Sequence, residues 1–455
     1  MNIKKSSLNL IMYSLLTLST TTQAGILDST LSSIDSISDN VEQNIEQQIQ
    51  PAVVQIEQPK IIESIQDRQL PNKISPSIQN LPAKLSILNK QGQAEFIEVE
   101  VENGLRAIQF EWLITLSTQE LQQFNQLKQK YDIQLLEMQT LNALDMTIIR
   151  FKVPPELDKN QTLRSLFPNQ IIKQLERNYI YQAQTLNASP TPNALISTNV
   201  VNPVCTQKIK IGMLDTQIEL THDAFKNAKI NQVSFLPDSI KLPKAHATAI
   251  ASLLVSQDKQ LPALLPNATL YSAAVFHNQT DYTQGASLFN LIKGINWLVE
   301  KNVTVINMSL AGPNNTLLEK TINKVIAKKI DIVAAAGNEG PTSEPLYPAA
   351  YIDVIAVTAV DSNKKIYRWA NQGAYIDFAA LGVSVKTARL NKSLSSFGSE
   401  SGTSIATPVI SAYTACFKQQ TSNYLQRLKQ EAEDLGQAGH DPIFGFGLIG
   451  FKKQL

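Results

Sequence analysis

Cysteine, histidine and any excess of charge are what this chain lacks. Its 455 residues include two cysteines, four histidines and three tryptophans, with 40 basic against 39 acidic side chains and a formal net charge of +1. So few cysteines leave no dense disulfide framework to build a fold on, and a hydrophobic content of 43% is enough to bury a core by packing alone. Balanced charge provides no field that would draw nucleic acid or an anionic surface as the main partner. After the N-terminal apolar run no second long one follows, and four histidines leave few candidates for acid–base chemistry. The length exceeds one ordinary domain and falls short of three, which predicts two folded parts plus extras.

The N-terminus carries Lys4 and Lys5, an apolar run from Leu8 to Leu18, and the small-residue pattern Thr22-Gln23-Ala24. This predicts an export signal over residues 1–24, cleaved after Ala24. The alternative is a membrane anchor, but the run is shorter than the roughly 20 apolar residues that span a bilayer. No cysteine near Ala24 is available for a lipid. The expected product is exported, periplasmic or secreted, with no membrane span once the signal is removed. In that setting Cys205 and Cys416 are free to form one disulfide, or they remain two buried thiols; the sequence leaves both open.

Residues 25–104 are expected as a low-complexity helix and linker region. Leu27, Leu31, Ile34, Val41, Ile45 and Ile49 recur at helical spacing, and the stretch containing Pro59, Pro71, Pro76 and Pro82 reads as linker. From Leu105 the pattern sharpens. RAIQFEWLITL is strand-like, STQELQQFNQLKQKYD opens with a capping box, IQLLEMQTL and DMTIIRFKV are two further strands, LDKNQTLRSLFP a short helix and IIKQLERNYIYQ a last strand. The order βαββαβ predicts a small α+β ferredoxin-like domain over 105–186. The Pro- and Asn-rich segment 187–207 reads as a connection, and a second domain is expected over 208–455. There KIKIGMLD, ATLYSAAVF, VTVINMSL and IDIVAAAG read as strands, alternating with the helices HATAIASLL, TQGASLFNLIKGINWLVEKN and TLLEKTINKVIAKK. This is α/β alternation: a mostly parallel sheet with helices on both faces.

In such sheets ligands bind beyond the carboxyl ends of the strands. Asp215, Asn307, Ser309 and Asn338 stand at or near those ends, and Ser404 follows Gly402 at the start of the helical ATPVISAYTAC. A serine hydroxyl needs a base to become a nucleophile, and the base needs a carboxylate to orient it. His246 opens a helix, whereas His222, His277 and His440 fall in turn-like or exposed contexts. Each residue alone reads equally well as a cap or a turn. Together Asp215, His246 and Ser404 are a chemically complete set.

The segments IGMLDTQIELTHDAF, HATAIASLL, LPNATLYSAAVF, VINMSLAGP, VAAAGNEGP, YPAAYIDVIAVTAVD and SGTSIATPVISA resemble the subtilisin family of serine proteases, in that family's order. LGQAGHDPIFGFGLI resembles its closing segment. The resemblance implies a subtilisin-like fold and a serine endopeptidase acting through an acyl-enzyme, with Ser404 as nucleophile, His246 as base and then acid, and Asp215 fixing the imidazole. It implies Asn338 as the oxyanion-hole side chain and Ser309, Leu310, Ala311, Ala336 and Gly337 as the ground on which polypeptide substrates lie. A catalytically weak or silent relative that binds peptide in the same cleft is the alternative. The 105–186 domain resembles the family's propeptide, a partner within the same chain, which implies a zymogen cut between Tyr181 and Asn187; a permanent N-terminal domain is the alternative there. No cofactor is expected to be required and no metal site is assigned; the SQDKQLPAL loop lacks the Asn-rich insertion that some relatives use for tight calcium binding, so no high-affinity calcium site of that kind is expected, and weak binding is left open.

The chain departs from the family pattern at Gln217, Ala247, Ala249 and Ile405, none of which removes a catalytic atom. Ala247 adds a methyl group where a glycine is usual, and is expected to crowd His246. Leu346, just before Tyr347-Pro348, is expected to shorten the pocket for the side chain preceding the cut. A peptide library is therefore expected to show preference for small side chains there, and a strong preference for Phe or Tyr would contradict this.

Overall fold

The structure, a computed structural model, describes residues 81–183, 203–390 and 396–451. The expected signal segment, the helix before Pro51, the proline-containing stretch up to residue 80, residues 184–186 at the end of the expected ferredoxin-like domain and residues 187–202 of the connection lie outside the described residues. Among the described residues no helix is long and apolar enough to cross a membrane.

The second domain is built on a seven-stranded sheet in which every pairing is parallel. Strand β7 (Lys210–Asp215) lies between β9 (Thr269–Ala274), beyond which comes the edge strand β8 (Lys229–Ser234), and the central strand β12 (Val305–Met308), and Asp331–Ala335 follows on the far side of β12. These strands read as apolar runs because both faces are covered. Ile211 and Met213 of β7 enter one core with α4 (Ala245–Val255) and α7 (Thr403–Lys418); Leu214, pointing the other way, enters a second core with α5 (Leu288–Glu300) and α6 (Thr316–Ala327).

The N-terminal part has the expected βαββαβ order: β3 (Arg106–Thr115), α1 (Thr118–Lys130), β4 (Gln134–Leu141), β5 (Met146–Lys152), the short helices α2 (Asn160–Arg164) and α3 (Asn169–Ile172), and β6 (Leu175–Ala183). Ser117 caps α1 reciprocally with Glu120, whose N–H donates to Ser117 Oγ at 3.3 Å while its carboxylate accepts from Ser117 N at 2.7 Å. Alternate residues of β3 serve different cores. Trp112 and Ile114 pack with Phe124 and Phe151 under the domain's own helices, whereas Leu113 joins Phe289 and Ile292 of α5.

Two expectations are corrected. Residues 84–100, grouped above with the linker region, form a hairpin of β1 (Lys84–Leu88) and β2 (Ala94–Glu100) that pairs with β3. The helix expected to begin at TQGAS begins at Leu288, capped by Ser287; Gln284–Ser287 is instead a strand, β11, paired with β6. On another edge, β6 pairs with β13 (Leu310–Ala311), so that Gln182 faces both Gly285 and Ala311. A side chain at Gly285 would come within 2.8 Å of Ile180, which explains the glycine at this close approach. Next to this ladder, Asn178 Oδ1 accepts from Phe289 N at 3.1 Å and Glu176 Oε1 from Thr316 N at 3.3 Å. Both donors lie in first helical turns, whose N–H groups have no partner within the helix.

Cys205 and Cys416 are bonded, with Cα atoms 6.1 Å apart and a sequence separation of 211. The bond ties the described end of the connection to the far end of the helix that starts at Thr403. Closing so long a loop is expected to stabilise the domain by about 2–4 kcal/mol. Cys205→Ser is predicted to lower the midpoint of denaturant unfolding accordingly; an unchanged midpoint would contradict the bond's structural role.

Candidate active site

Asp215 ends β7 and is 1% exposed. A lone carboxylate there would be costly, but this one is fully engaged. Thr216 N–H donates to Oδ1 at 2.6 Å, and His246 Nδ1 lies 2.7 Å from Oδ1 and 2.8 Å from Oδ2. A ring nitrogen facing a carboxylate carries the proton, so Nε2 is left as the basic atom. Nε2 is buried and has no hydrogen-bond partner. Burial by itself would lower the His246 pKa, but the charge of Asp215 and its hydrogen bond, with a smaller contribution from Glu400, hold it above the ordinary 6.5. Ala247, expected to crowd the histidine, is fully buried in the core, and its N–H donates to Thr216 Oγ1 at 2.9 Å. The imidazole keeps both contacts to Asp215 beside it.

Ser404 is the second residue of α7 and is wholly buried. It is entered through Gly402, whose φ of 150° is rarely adopted by side-chain-bearing residues. Four residues on, Pro408 has no N–H to give to the Ser404 carbonyl. Ser309 Oγ donates to that carbonyl instead, at 3.0 Å. Ser309 Oγ in turn accepts from Asn307 Nδ2 at 2.9 Å, and Asn307 Oδ1 accepts from Ser411 Oγ at 2.9 Å. Three buried side chains thus bind the start of α7 to β12 and β13. Helices α4 and α7 pack against each other, and His246 and Ser404 are each second in their helix. Glu400, four residues before Ser404, lines with His246 a cavity of about 780 Å³. Gln217 and Ala249, two of the departures from the family pattern, face the same cavity.

Asn338 sits in the loop after Asp331–Ala335, and its Oδ1 accepts from Thr403 N at 3.0 Å and from Thr403 Oγ1 at 3.1 Å. Because a backbone N–H can only donate, the amide oxygen is fixed toward α7 and the NH₂ group is turned away from it. Gly337 N–H donates to the same Thr403 hydroxyl at 3.3 Å, and a Cβ on Gly337 would stand 2.7 Å from Leu346 Cδ1. Leu310 and Ala311 lie in the ladder with β6, and Ser309 precedes them. Ala336 and Gly337 do not join that ladder. Ala336 N–H goes to the Val357 carbonyl and its own carbonyl accepts from Tyr375 Oη, while the Gly337 carbonyl accepts from Asn371 N at 3.1 Å.

Thr403 and strand β11 escaped the sequence reading. Thr403 stood in view as the middle of Gly-Thr-Ser, but nothing in its neighbours reveals a bond to a residue 65 positions away. Of the other histidines one needs correction: His277, expected in a turn-like or exposed context, is wholly buried in the short strand His277–Asn278, whereas His222 lies in a turn, though buried, and His440 is exposed.

The model of the Subtilase family matches residues 206–447. Subtilisin DY of Bacillus licheniformis is 32% identical over 259 residues, covering 53% of this chain and 88% of the relative. The major intracellular serine protease of Bacillus subtilis (strain 168) is 31% identical, covering 51% of this chain and 75% of its own. The minor extracellular protease Epr of the same strain is 30% identical over 256 residues, but the chain spans only 38% of its length. Among solved structures, fervidolysin from Fervidobacterium pennivorans, described as a keratinolytic enzyme related to subtilisin, superposes with a TM-score of 0.61 at 15% identity. That likeness in fold covers 83% of this chain and 64% of fervidolysin, and so reaches beyond the residues of the family match.

Proposed function

This chain belongs to the subtilase family, a family of serine endopeptidases, and on that premise we propose that it is an exported peptidase made as a zymogen, with Asp215, His246 and Ser404 as its catalytic groups. The observation that carries the reading is the His246 imidazole, clamped by both oxygens of Asp215 at Nδ1 and left with a basic, unpartnered Nε2 at the end of the helix that packs against α7.

In this reading Ser404 Oγ attacks the scissile carbonyl while its proton passes to His246 Nε2. Asp215 stabilises the imidazolium without taking the proton. The oxygen that gains charge is met by the Asn338 amide and the Ser404 N–H, and Thr403 holds the Asn338 amide in the orientation this requires. The proton then moves from Nε2 to the leaving amine, which departs, and water enters by the same steps reversed to release the acid and restore Ser404. No cofactor enters these steps.

The substrate is a polypeptide added as a strand between β11 and β13, in the place that β6 occupies. That occupancy supports a zymogen: the N-terminal domain blocks its own cleft, and the chain is cut between Tyr181 and Asn187, a stretch of which residues 184–187 lie outside the described residues. Leu346 beside Gly337 supports a short pocket for the residue before the cut. The expected signal at residues 1–24 would carry the product out of the cytoplasm.

Expression from Gly25, beside a Ser404→Ala twin, tests the reading by intact mass over several hours. The wild type is expected to lose everything up to the 181–187 stretch while the twin stays whole; equal cutting of both would contradict it. Because the base must be neutral and its pKa is raised, kcat/KM of the processed enzyme is expected to fall as pH drops through a value above 6.5. A flat profile across that region would remove His246 from the role.

A further inference from the structure

The β1–β2 hairpin makes a second set of contacts with the catalytic domain, separate from those of β6. Ile87, Leu85 and Phe96 pack with Leu236, Ile240 and Leu242 in a small apolar core. At the turn, Lys90 N–H donates to the Ser239 carbonyl at 2.7 Å and Lys90 Nζ to the Asp238 carbonyl at 2.7 Å, while Ser239 Oγ donates to Glu95 at 2.8 Å. Beneath them lies a fully buried carboxylate, Glu98. His277 Nε2 and Gln279 Nε2 of the catalytic domain each lie 2.6 Å from one of its oxygens, and Arg106 of its own domain is 3.3 Å away. The Phe96 ring stands edge-on to His277 at 4.9 Å.

Neither half of this cluster is sensible alone. Without the catalytic domain, Glu98 keeps only Arg106; without the hairpin, His277 Nε2 and Gln279 Nε2 lose the carboxylate they bind here. Burial drives the Glu98 pKa up, yet the hydrogen bonds from His277 and Gln279 and the nearby positive charges outweigh it and leave the carboxyl below its ordinary range. Apolar packing gives this surface its area, and the carboxylate gives it a fixed register, since any slip takes from the buried charge both of its donors in the catalytic domain.

We propose that the hairpin 84–100 is a dedicated docking element that keeps the N-terminal domain bound to the catalytic domain after the chain between them is cut, with Glu98 as its anchor in a carboxylate-binding site formed by His277 and Gln279. This rests on the zymogen reading for its purpose, but docking is measurable without it. The full-length Ser404→Ala chain is given a recognition sequence for an unrelated, site-specific protease within residues 188–198, cut there, and followed by gel filtration and by the rate at which the N-terminal piece leaves. The unmodified interface is expected to hold the piece through filtration. Glu98→Ala and His277→Ala are each expected to speed its release about 30-fold or more, and the double variant by much less than the product of the two. His277→Ala lies outside the N-terminal domain, so its effect is not unfolding of that domain, and thermal melting checks the remainder of each chain. Rapid loss of the piece from the parent would overturn the proposal, as would a change within about 2-fold in Glu98→Ala or effects that multiply independently. A chain that never cuts itself would instead count against the zymogen reading and leave this result standing.

Discussion

Strand β6 has catalytic-domain strands on both sides, and most of what distinguishes this molecule follows from that. Gln182 faces Gly285 of β11 and Ala311 of β13 at once, so β6 is not simply an edge of the N-terminal sheet but a bridge between two domains. The same strand supplies Asn178 and Glu176 to the first turns of α5 and α6, and Tyr181, whose hydroxyl donates to the Pro313 carbonyl at 3.0 Å while its ring fills the space that a side chain at Gly312 would need. An extended strand, two helix termini and a closed aromatic contact therefore depend on one register. A slip by one residue would turn Tyr181 to the opposite face and misplace all of them.

On the catalytic side the corresponding constraint is the start of α7. A proline four residues after the serine removes one helical hydrogen bond, and the protein uses the freed carbonyl as the point where Ser309, Asn307 and Ser411 fasten the helix to the sheet. Thr403, one residue earlier, fastens the Asn338 loop to the same turn. Ser404 is thereby held from both neighbouring strands' loops, while His246 is held from β7 through Asp215 and Thr216. These are rigid attachments, suited to a site whose groups must already be in place when charge develops.

Much of this was legible in the sequence because the catalytic strands are short apolar runs that end abruptly in polar residues, and that pattern marks the carboxyl edge of a buried parallel sheet. Asp215 and His246 could be paired on chemical grounds before any distance was known. The hairpin 84–100 was missed although KLSIL and AEFIEVE are both strand-like, because the prolines before them, up to Pro82, suggested a linker. Nothing near Glu98 in the sequence marks it, since its partners His277 and Gln279 lie 179 and 181 residues away. For the same reason the burial of His277 was not legible: its ring is covered edge-on by Phe96 and bonded to Glu98, both in the hairpin. Helical spacing hid β11, whose residues Gly285 and Ala286 carry no strand signal of their own and become a strand by pairing with β6.

The central claim is that Ser404 is the activated nucleophile of this assembly. The most direct measurement is to separate the processed catalytic domain from its N-terminal piece, treat it with a fluorophosphonate probe and map the adduct by peptide mass spectrometry, beside His246→Ala and Asn338→Ala chains cut by the same external protease and freed of the piece in the same way. The account predicts a single adduct on Ser404, nearly absent without His246 and weakened without Asn338. A processed, folded protein that leaves Ser404 unlabelled, or that labels equally well without His246, would contradict it.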